Sequence, residues 1–200
     1  FNGNISSMVT TIIDNSTSAR TPQPQLTAYQ YDQLNRIKQL KAYRDIASNM
    51  WGTGSTYDNS YESNVSYDAN GNITNMKTNG VASQGLDMDD LECKYENIAN
   101  GYTRNTNKLR SMTDAVNTLP GTDNYKTDIE SQGANNYEYD EIGNLKHDTK
   151  EGIADIEWTV YGKIKSIVRI NGFFNVVSGV NVYPSNLEFK YDPSGNRIAK

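Results

Sequence analysis

The sequence is poor in the residues from which most catalytic and metal sites are built. Its 200 residues include one cysteine, Cys93, and one histidine, His147. A lone cysteine excludes an internal disulfide and any cysteine-based zinc cluster. A lone histidine weakens His-metal and Ser-His-Asp arrangements. No Gly-x-Ser-x-Gly elbow and no glycine-rich phosphate loop occur. Cations do not outnumber anions: 19 Lys and Arg face 24 Asp and Glu, a net charge of −5, which argues against a nucleic-acid partner. Long apolar runs are missing too. The most apolar stretch, Ile164 to Val182, is interrupted by Lys165, Arg169, Asn171, Asn175 and Asn181, so no membrane-spanning helix is expected. The chain opens at Phe1 with neither an initiator Met nor a signal-peptide pattern, and reads as a piece of a longer protein.

What is abundant points to strands and turns. Asparagine occurs 25 times and glycine 15 times, one residue in five together, and both favour turns over helices. Tyrosine, at 14, far exceeds phenylalanine, at 4. This composition predicts many short strands joined by tight reversals.

The chain also repeats itself, the first thing to seek in such a composition. Tyr31-Asp32-Gln-Leu-Asn35-Arg36-Ile37 is echoed by Tyr67-Asp68-Ala-Asn-Gly71-Asn72-Ile73 and by Tyr139-Asp140-Glu-Ile-Gly143-Asn144-Leu145. It returns as Tyr191-Asp192-Pro-Ser-Gly195-Asn196-Arg197-Ile198, read with one residue inserted before the Ile, and more weakly as Trp158-Thr-Val-Tyr-Gly162-Lys163-Ile164. A degraded copy, Thr106-Asn107-Lys108-Leu109, keeps only a turn and the start of the second strand. Apolar and polar residues alternate ahead of each full turn: Tyr29-Gln-Tyr31, Val65-Ser-Tyr67, Tyr137-Glu-Tyr139, Ile156-Glu-Trp158 and Phe189-Lys-Tyr191. That period of two marks a strand with one buried face.

The turns carry their own chemistry. Asp suits the first position of a type I turn, Pro the second and Gly the fourth, and Asp192-Pro193-Ser194-Gly195 meets all three preferences. A type I turn closed by a left-handed Gly forms a hairpin loop with a bulge, and Asn35 can stand in for that Gly. Each copy thus predicts strand, turn, strand, with second strands starting near Ile37, Ile73, Leu145, Ile164 and Ile198. Hairpins in series can pair edge to edge and share one aromatic face. Residues 37–47 also fit a helical face, but the repeat register favours a strand through Tyr43. Thr10 to Thr27, Asp45 to Glu62 and Thr113 to Asn136 read as polar connectors, the first partly extended. The repeats continue on both sides of every connector, which predicts one all-β segment over 1–200, built of consecutive antiparallel hairpins.

The Tyr-Asp-x-x-Gly-Asn-x-Ile signature resembles the YD repeat of the bacterial Rhs (rearrangement hot spot) family. It is also similar to the C component of insecticidal toxin complexes and, more distantly, to teneurins. The resemblance covers most of the chain, and Phe1-Asn-Gly-Asn-Ile5 looks like a hairpin entered partway. It implies that the hairpins form part of a spiralling β-sheet shell around a C-terminal toxin. It further implies a secreted or cell-surface location, with neighbouring repeats and that toxin as partners. Six units are too few to close such a shell. The family's self-cleaving core ends in Asp-Pro-x-Gly-Leu; here Asp192-Pro193-Ser194-Gly195 is succeeded by Asn196, so this Asp-Pro reads as a repeat turn and no catalytic part is expected.

The repeat residues Tyr31, Asp32, Asn35, Tyr67, Asp68, Gly71, Asn72, Tyr139, Asp140, Gly143, Asn144, Trp158, Gly162, Tyr191, Asp192, Gly195 and Asn196 are therefore assigned structural roles, and no catalytic, cofactor or metal residue is named. Asp68-Ala-Asn70-Gly-Asn72 mimics the start of a calcium loop but has Ile73 and Asn79 where that loop needs Gly and Glu. The acidic run Asp87 to Glu92 reads as a solvated loop next to a strand. None of the 24 acids is marked as a glycosidase pair. His147 reads as a structural or surface residue, and Cys93 as a small buried side chain. The tyrosine stripe reads first as packing between hairpins. Carbohydrate binding, on an adhesin or sugar-binding module, is the alternative, placed in irregular loops near residues such as Trp51.

Overall fold

The computed structural model describes residues 3–13, 22–44, 46–47, 50–51, 59–81, 85–99, 103–116, 129–177 and 180–200. The protein is all-β, and the described residues contain no helix. In chain order the strands are β1 (Ser7–Ile13), β2 (Pro22–Tyr31), β3 (Ile37–Arg44), β4 (Ile46–Ala47), β5 (Met50–Trp51), β6 (Ser63–Tyr67), β7 (Ile73–Asn79), β8 (Asp87–Ala99) and β9 (Thr103–Asp114). They continue as β10 (Tyr137–Tyr139), β11 (Leu145–Asp148), β12 (Ile153–Trp158), β13 (Ile164–Arg169), β14 (Asn175–Val177), β15 (Val180–Val182), β16 (Leu187–Glu188), β17 (Lys190–Tyr191) and β18 (Arg197–Ala199). Among the described residues no helix is long and apolar enough to cross a membrane.

The chain forms two compact units, residues 1–92 with 113–130 and residues 93–112 with 131–200. The first is built on strands that pair in the order β1-β2-β3-β6-β7-β8, and the sheet's seventh strand is β9. The second contains a five-stranded sheet, β10-β11-β12-β13-β16, with the hairpins β14-β15 and β17-β18. The strand pairs of the described residues are antiparallel and nearly all are consecutive in the chain, as hairpins in series require. The alternation read from sequence is the alternation of burial: Val65 and Tyr67 turn inward while Asn64 and Ser66 face solvent. Likewise Ile156 is buried and Glu157 exposed. The buried apolar residues among the described ones are few: Ala42 and Leu91 in the first unit and Ile156 in the second. Cohesion therefore rests on half-buried faces and on ladder and side-chain hydrogen bonds as well as on a core.

Four sequence expectations are corrected. The Thr10–Thr27 connector is strand at both described ends, because Met8 to Ile13 pairs with Pro22 to Thr27; residues 14–21 lie outside the described set. The acidic run 87–92 is not a loop but the start of β8. There Asp90 stands opposite Lys77, and Lys77 Nζ lies 3.2 Å from Asp87. Backbone pairing plus that cation makes the acids tolerable in a strand. No turn occurs at Thr106, since β9 runs straight through it; what survives there of the repeat is its second strand. Arg197 pairs with Tyr191 as Ile37 pairs with Tyr31, so no residue is inserted in the last copy: Arg197 occupies the Ile position. The Asp45–Glu62 connector holds the small β4-β5 pair, with 52–58 outside the described residues, and residues 37–44 are strand rather than helix. Of the third connector, 117–128 lie outside the described residues.

Candidate functional site: the seam between hairpins

The repeat residues converge on one recurring construction. In each turn the first residue and the left-handed residue close a reversal by main-chain bonds alone. Gly71 N–H donates to Asp68 O at 3.1 Å, and Asp68 N–H to Asn72 O at 2.9 Å; Asp140–Gly143 and Asp192–Gly195 repeat both bonds. The left-handed position has φ +63° at Asn35, +89° at Gly71, +95° at Gly143, +71° at Gly162 and +83° at Gly195. The ladder register shifts at the aromatic residue before each turn, Tyr31, Tyr67, Tyr139, Trp158 and Tyr191, the bulge this loop type demands.

The aspartate then locks the turn. Asp68 Oδ1 accepts from Asn70 N–H and Asn72 N–H, both at 2.9 Å, while Oδ2 accepts from Asn72 Nδ2 at 2.9 Å. Asp140 does the same with Ile142 and Asn144, and Asp192 accepts from both the backbone and side chain of Asn196. Asp32 accepts from Leu34 and Arg36 N–H and pairs with Arg36 Nε at 2.6 Å. These donors hold all four carboxyls below the ordinary aspartate range. At Asp32 the Arg36 N–H leads, and at Asp192 the Asn196 side chain; at Asp68 and Asp140 desolvation pushes upward but the Asn72 and Asn144 donors outweigh it. Carboxylates so occupied suit capping and are poor general bases.

A second set of contacts joins one hairpin to the next. The Tyr67 hydroxyl donates to Ile37 O at 2.7 Å, Tyr191 to Ile164 O at 2.8 Å and Tyr31 to Ile5 O at 2.8 Å. Trp158 Nε1 donates to Leu145 O at 2.7 Å, whereas at Tyr139 the Leu109 backbone N–H faces the hydroxyl as a donor. The partner is always the apolar residue of the preceding copy that stands two places after the left-handed position or its counterpart. Desolvation raises the Tyr139 hydroxyl, as it does that of Tyr137, which accepts from Gln132 Nε2 at 2.8 Å.

A third set was missed from the sequence. Arg36 reaches Asp68 O at 3.3 Å, Lys108 reaches Asp140 O at 3.5 Å, and Lys163 reaches Gly195 O, each 32 residues ahead. Arg36 also lies over the Tyr67 ring at 4.4 Å and Lys163 over Tyr191 at 5.2 Å. The signal was present: the residue after the left-handed position, or its counterpart in the degraded copy, runs Arg36, Asn72, Lys108, Asn144, Lys163, Asn196. Cation and asparagine alternate. An asparagine ties its own turn, whereas a cation reaches out to the next one along the chain; Arg36 does both, since its Nε also pairs with Asp32 of its own turn. The degraded copy at 106–109 keeps this function without its turn.

The other sequence candidates are accounted for. His147 stands opposite Glu138 on β10, with Nε2 3.9 Å from Oε2, half exposed. Cys93 is a half-buried residue of β8, and Trp51 is half buried on β5. Asp89, by contrast, is buried among the acids of β8, and desolvation, reinforced by the Asp114 charge, pushes its carboxyl up despite a 3.4 Å bond from Ile129 N–H. Among the described residues no group of three potential metal ligands comes together. No family model matches the chain, and no curated protein matches it.

Proposed function

We propose that this chain is a non-enzymatic wall segment of an Rhs-type shell, one that encapsulates or presents a C-terminal toxin at or outside the cell surface. The observation that carries the reading is the repeated seam, in which an aromatic donor reaches back to the preceding hairpin and a cation reaches forward to the next turn carbonyl. Such contacts suit a wall extended by adding hairpins, because each new unit finds the same acceptors. The repeat aspartates are engaged as turn caps, which supports a structural role rather than acid–base catalysis. Reading the coding region on both sides of the chain tests this. Further Tyr-Asp hairpins, then a cleavable core and a variable domain, with that domain protected from added protease in the full-length protein, are expected. A flanking region without such hairpins overturns the proposal.

One observation favours a second reading, a carbohydrate-binding module. Val160 and Tyr161 are 93% and 87% exposed at the rim of a cleft of about 610 Å³, which Phe189 and Tyr191 also line. An exposed aromatic beside such a cleft is suited to stacking on a sugar ring. Specific binding on a glycan array that is lost in Tyr161→Ala would favour this reading over the shell.

A further inference from the structure

We infer that Asn171 is a site of spontaneous deamidation, selected by the fold from among several Asn-Gly pairs. The chemistry needs three things: a next residue without a side chain, a free backbone nitrogen in that residue, and room for a five-membered ring. The Gly172 nitrogen, having lost its proton, attacks Asn171 Cγ; the new C–N bond forms as the Cγ–Nδ2 bond breaks, and ammonia leaves. Water then opens the succinimide at either carbonyl to give aspartate or isoaspartate. No electrons are exchanged, and the only co-reactant is solvent.

Three Asn-Gly pairs fall wholly within the described residues: 70–71, 79–80 and 171–172. Two are locked. Gly71 N–H donates to Asp68 O at 3.1 Å, and Asn70 N–H is held by Asp68 Oδ1 at 2.9 Å. Gly80 is buried and donates to Leu86 O at 2.8 Å, while Asn79 donates to Glu62 O through its backbone and to Asn59 O through its side chain. The third is open. Asn171 and Gly172 are both exposed at the reversal between β13 and β14, closed by the Phe173 N–H to Ile170 O bond at 3.1 Å. Among the described residues no hydrogen bond holds the Asn171 carbonyl or the Gly172 N–H, so the peptide unit joining them can rotate. A Cβ placed on Gly172 would meet no atom within 4 Å, which leaves space for the ring.

The product has a defined setting. Residues 170–187 contain no charged side chain. They include the β14-β15 pair, on and beside which Phe174, Val180, Val182 and Tyr183 are exposed. Deamidation puts the first negative charge at its base, and the isoaspartate form adds a main-chain methylene to the turn.

The whole chain should be aged at neutral pH, with aspartate and isoaspartate at positions 70, 79 and 171 quantified by peptide mass spectrometry. Asn171 is expected to convert several-fold faster than the other two in the folded protein. In urea the three rates should converge, since each Asn precedes Gly. Asn171→Asp should match the acidic species of the aged protein on native charge separation. Equal rates in the folded protein, or the same excess for Asn171 in urea, would overturn the inference.

Discussion

The turns at Asp140–Gly143 and Thr159–Gly162 share a backbone and differ in what holds it. Gly143 N–H donates to Asp140 O at 3.1 Å and Gly162 N–H to Thr159 O at 3.0 Å, and both glycines are left-handed. Asp140 grips its turn with both carboxylate oxygens, the second taken by the Asn144 side chain. Thr159 supplies one oxygen, accepting from Lys163 N–H at 3.1 Å, and asks nothing of the Lys163 side chain. Lys163 is thereby released to reach the Gly195 carbonyl. Main-chain geometry and the left-handed residue therefore make the turn, while the side chains around it decide whether a hairpin braces itself, its neighbour or, as Arg36 does, both.

The strongest challenge to that division comes from a third glycine turn. Gly152 N–H bonds Thr149 O at 3.1 Å, but Gly152 is buried, and a Cβ there would lie 2.2 Å from the Phe173 ring. Gly152→Ala combines overpacking with a left-handed alanine and should cost roughly 3–5 kcal/mol, measured by chemical denaturation. A cost under about 1 kcal/mol would mean the Phe173 contact is not formed. Gly143→Val isolates the conformational part, because nothing lies within 4 Å of a Cβ at Gly143. Forcing a β-branched residue to φ +95° should cost roughly 1–3 kcal/mol. An effect near zero would refute the turn assignment.

The seam bonds come next in size. Tyr67→Phe and Tyr191→Phe each remove one hydroxyl that donates to the preceding hairpin, and each should cost about 1 kcal/mol. Combining Tyr67→Phe with Arg36→Met tests whether the two arms of one seam act together. Since Arg36 lies over the Tyr67 ring, the double variant should depart from the sum of the singles. Strict additivity would show that the aromatic and the cation act independently.

The sequence made the turns legible because their requirements are local: an acid, a left-handed Gly or Asn, and an alternating strand within about seven residues. Val65 to Ile73 states all of it. What connects hairpins was harder to read, because Arg36 and Asp68 are 32 residues apart and a lone basic residue beside a turn ordinarily signals only a solvated face. The acid run 87–92 misled for a related reason: its charges suggested solvent, yet Lys77 and the β7 ladder, not adjacent in sequence, settle its place. At 106–109 the motif residues survive where the turn does not, since Lys108 and Leu109 serve the hairpin at Asp140 rather than their own.

The smallest effects lie in acid. Asp32, Asp68, Asp140 and Asp192 have carboxyls held below their unfolded values, so their contribution to stability is complete above about pH 4 and is lost as pH falls through the folded values. Asp89 runs the other way. Its carboxyl is raised by burial, so its ionised form burdens the fold at neutral pH, and protonation relieves that burden as pH falls toward the unfolded value. Stability measured against pH should therefore stay level or rise slightly on first acidification and then fall. Asp89→Asn should stabilise the protein near neutrality and erase the early rise, because an amide keeps an acceptor for Ile129 N–H without the charge. Asp140→Asn should weaken the late fall and leave the early branch alone, while Thr159→Asp should steepen it by giving the fifth turn the titrating cap it lacks. A Thr159→Asp profile identical to that of the parent chain would show that the carboxylate adds nothing to a turn its backbone already closes.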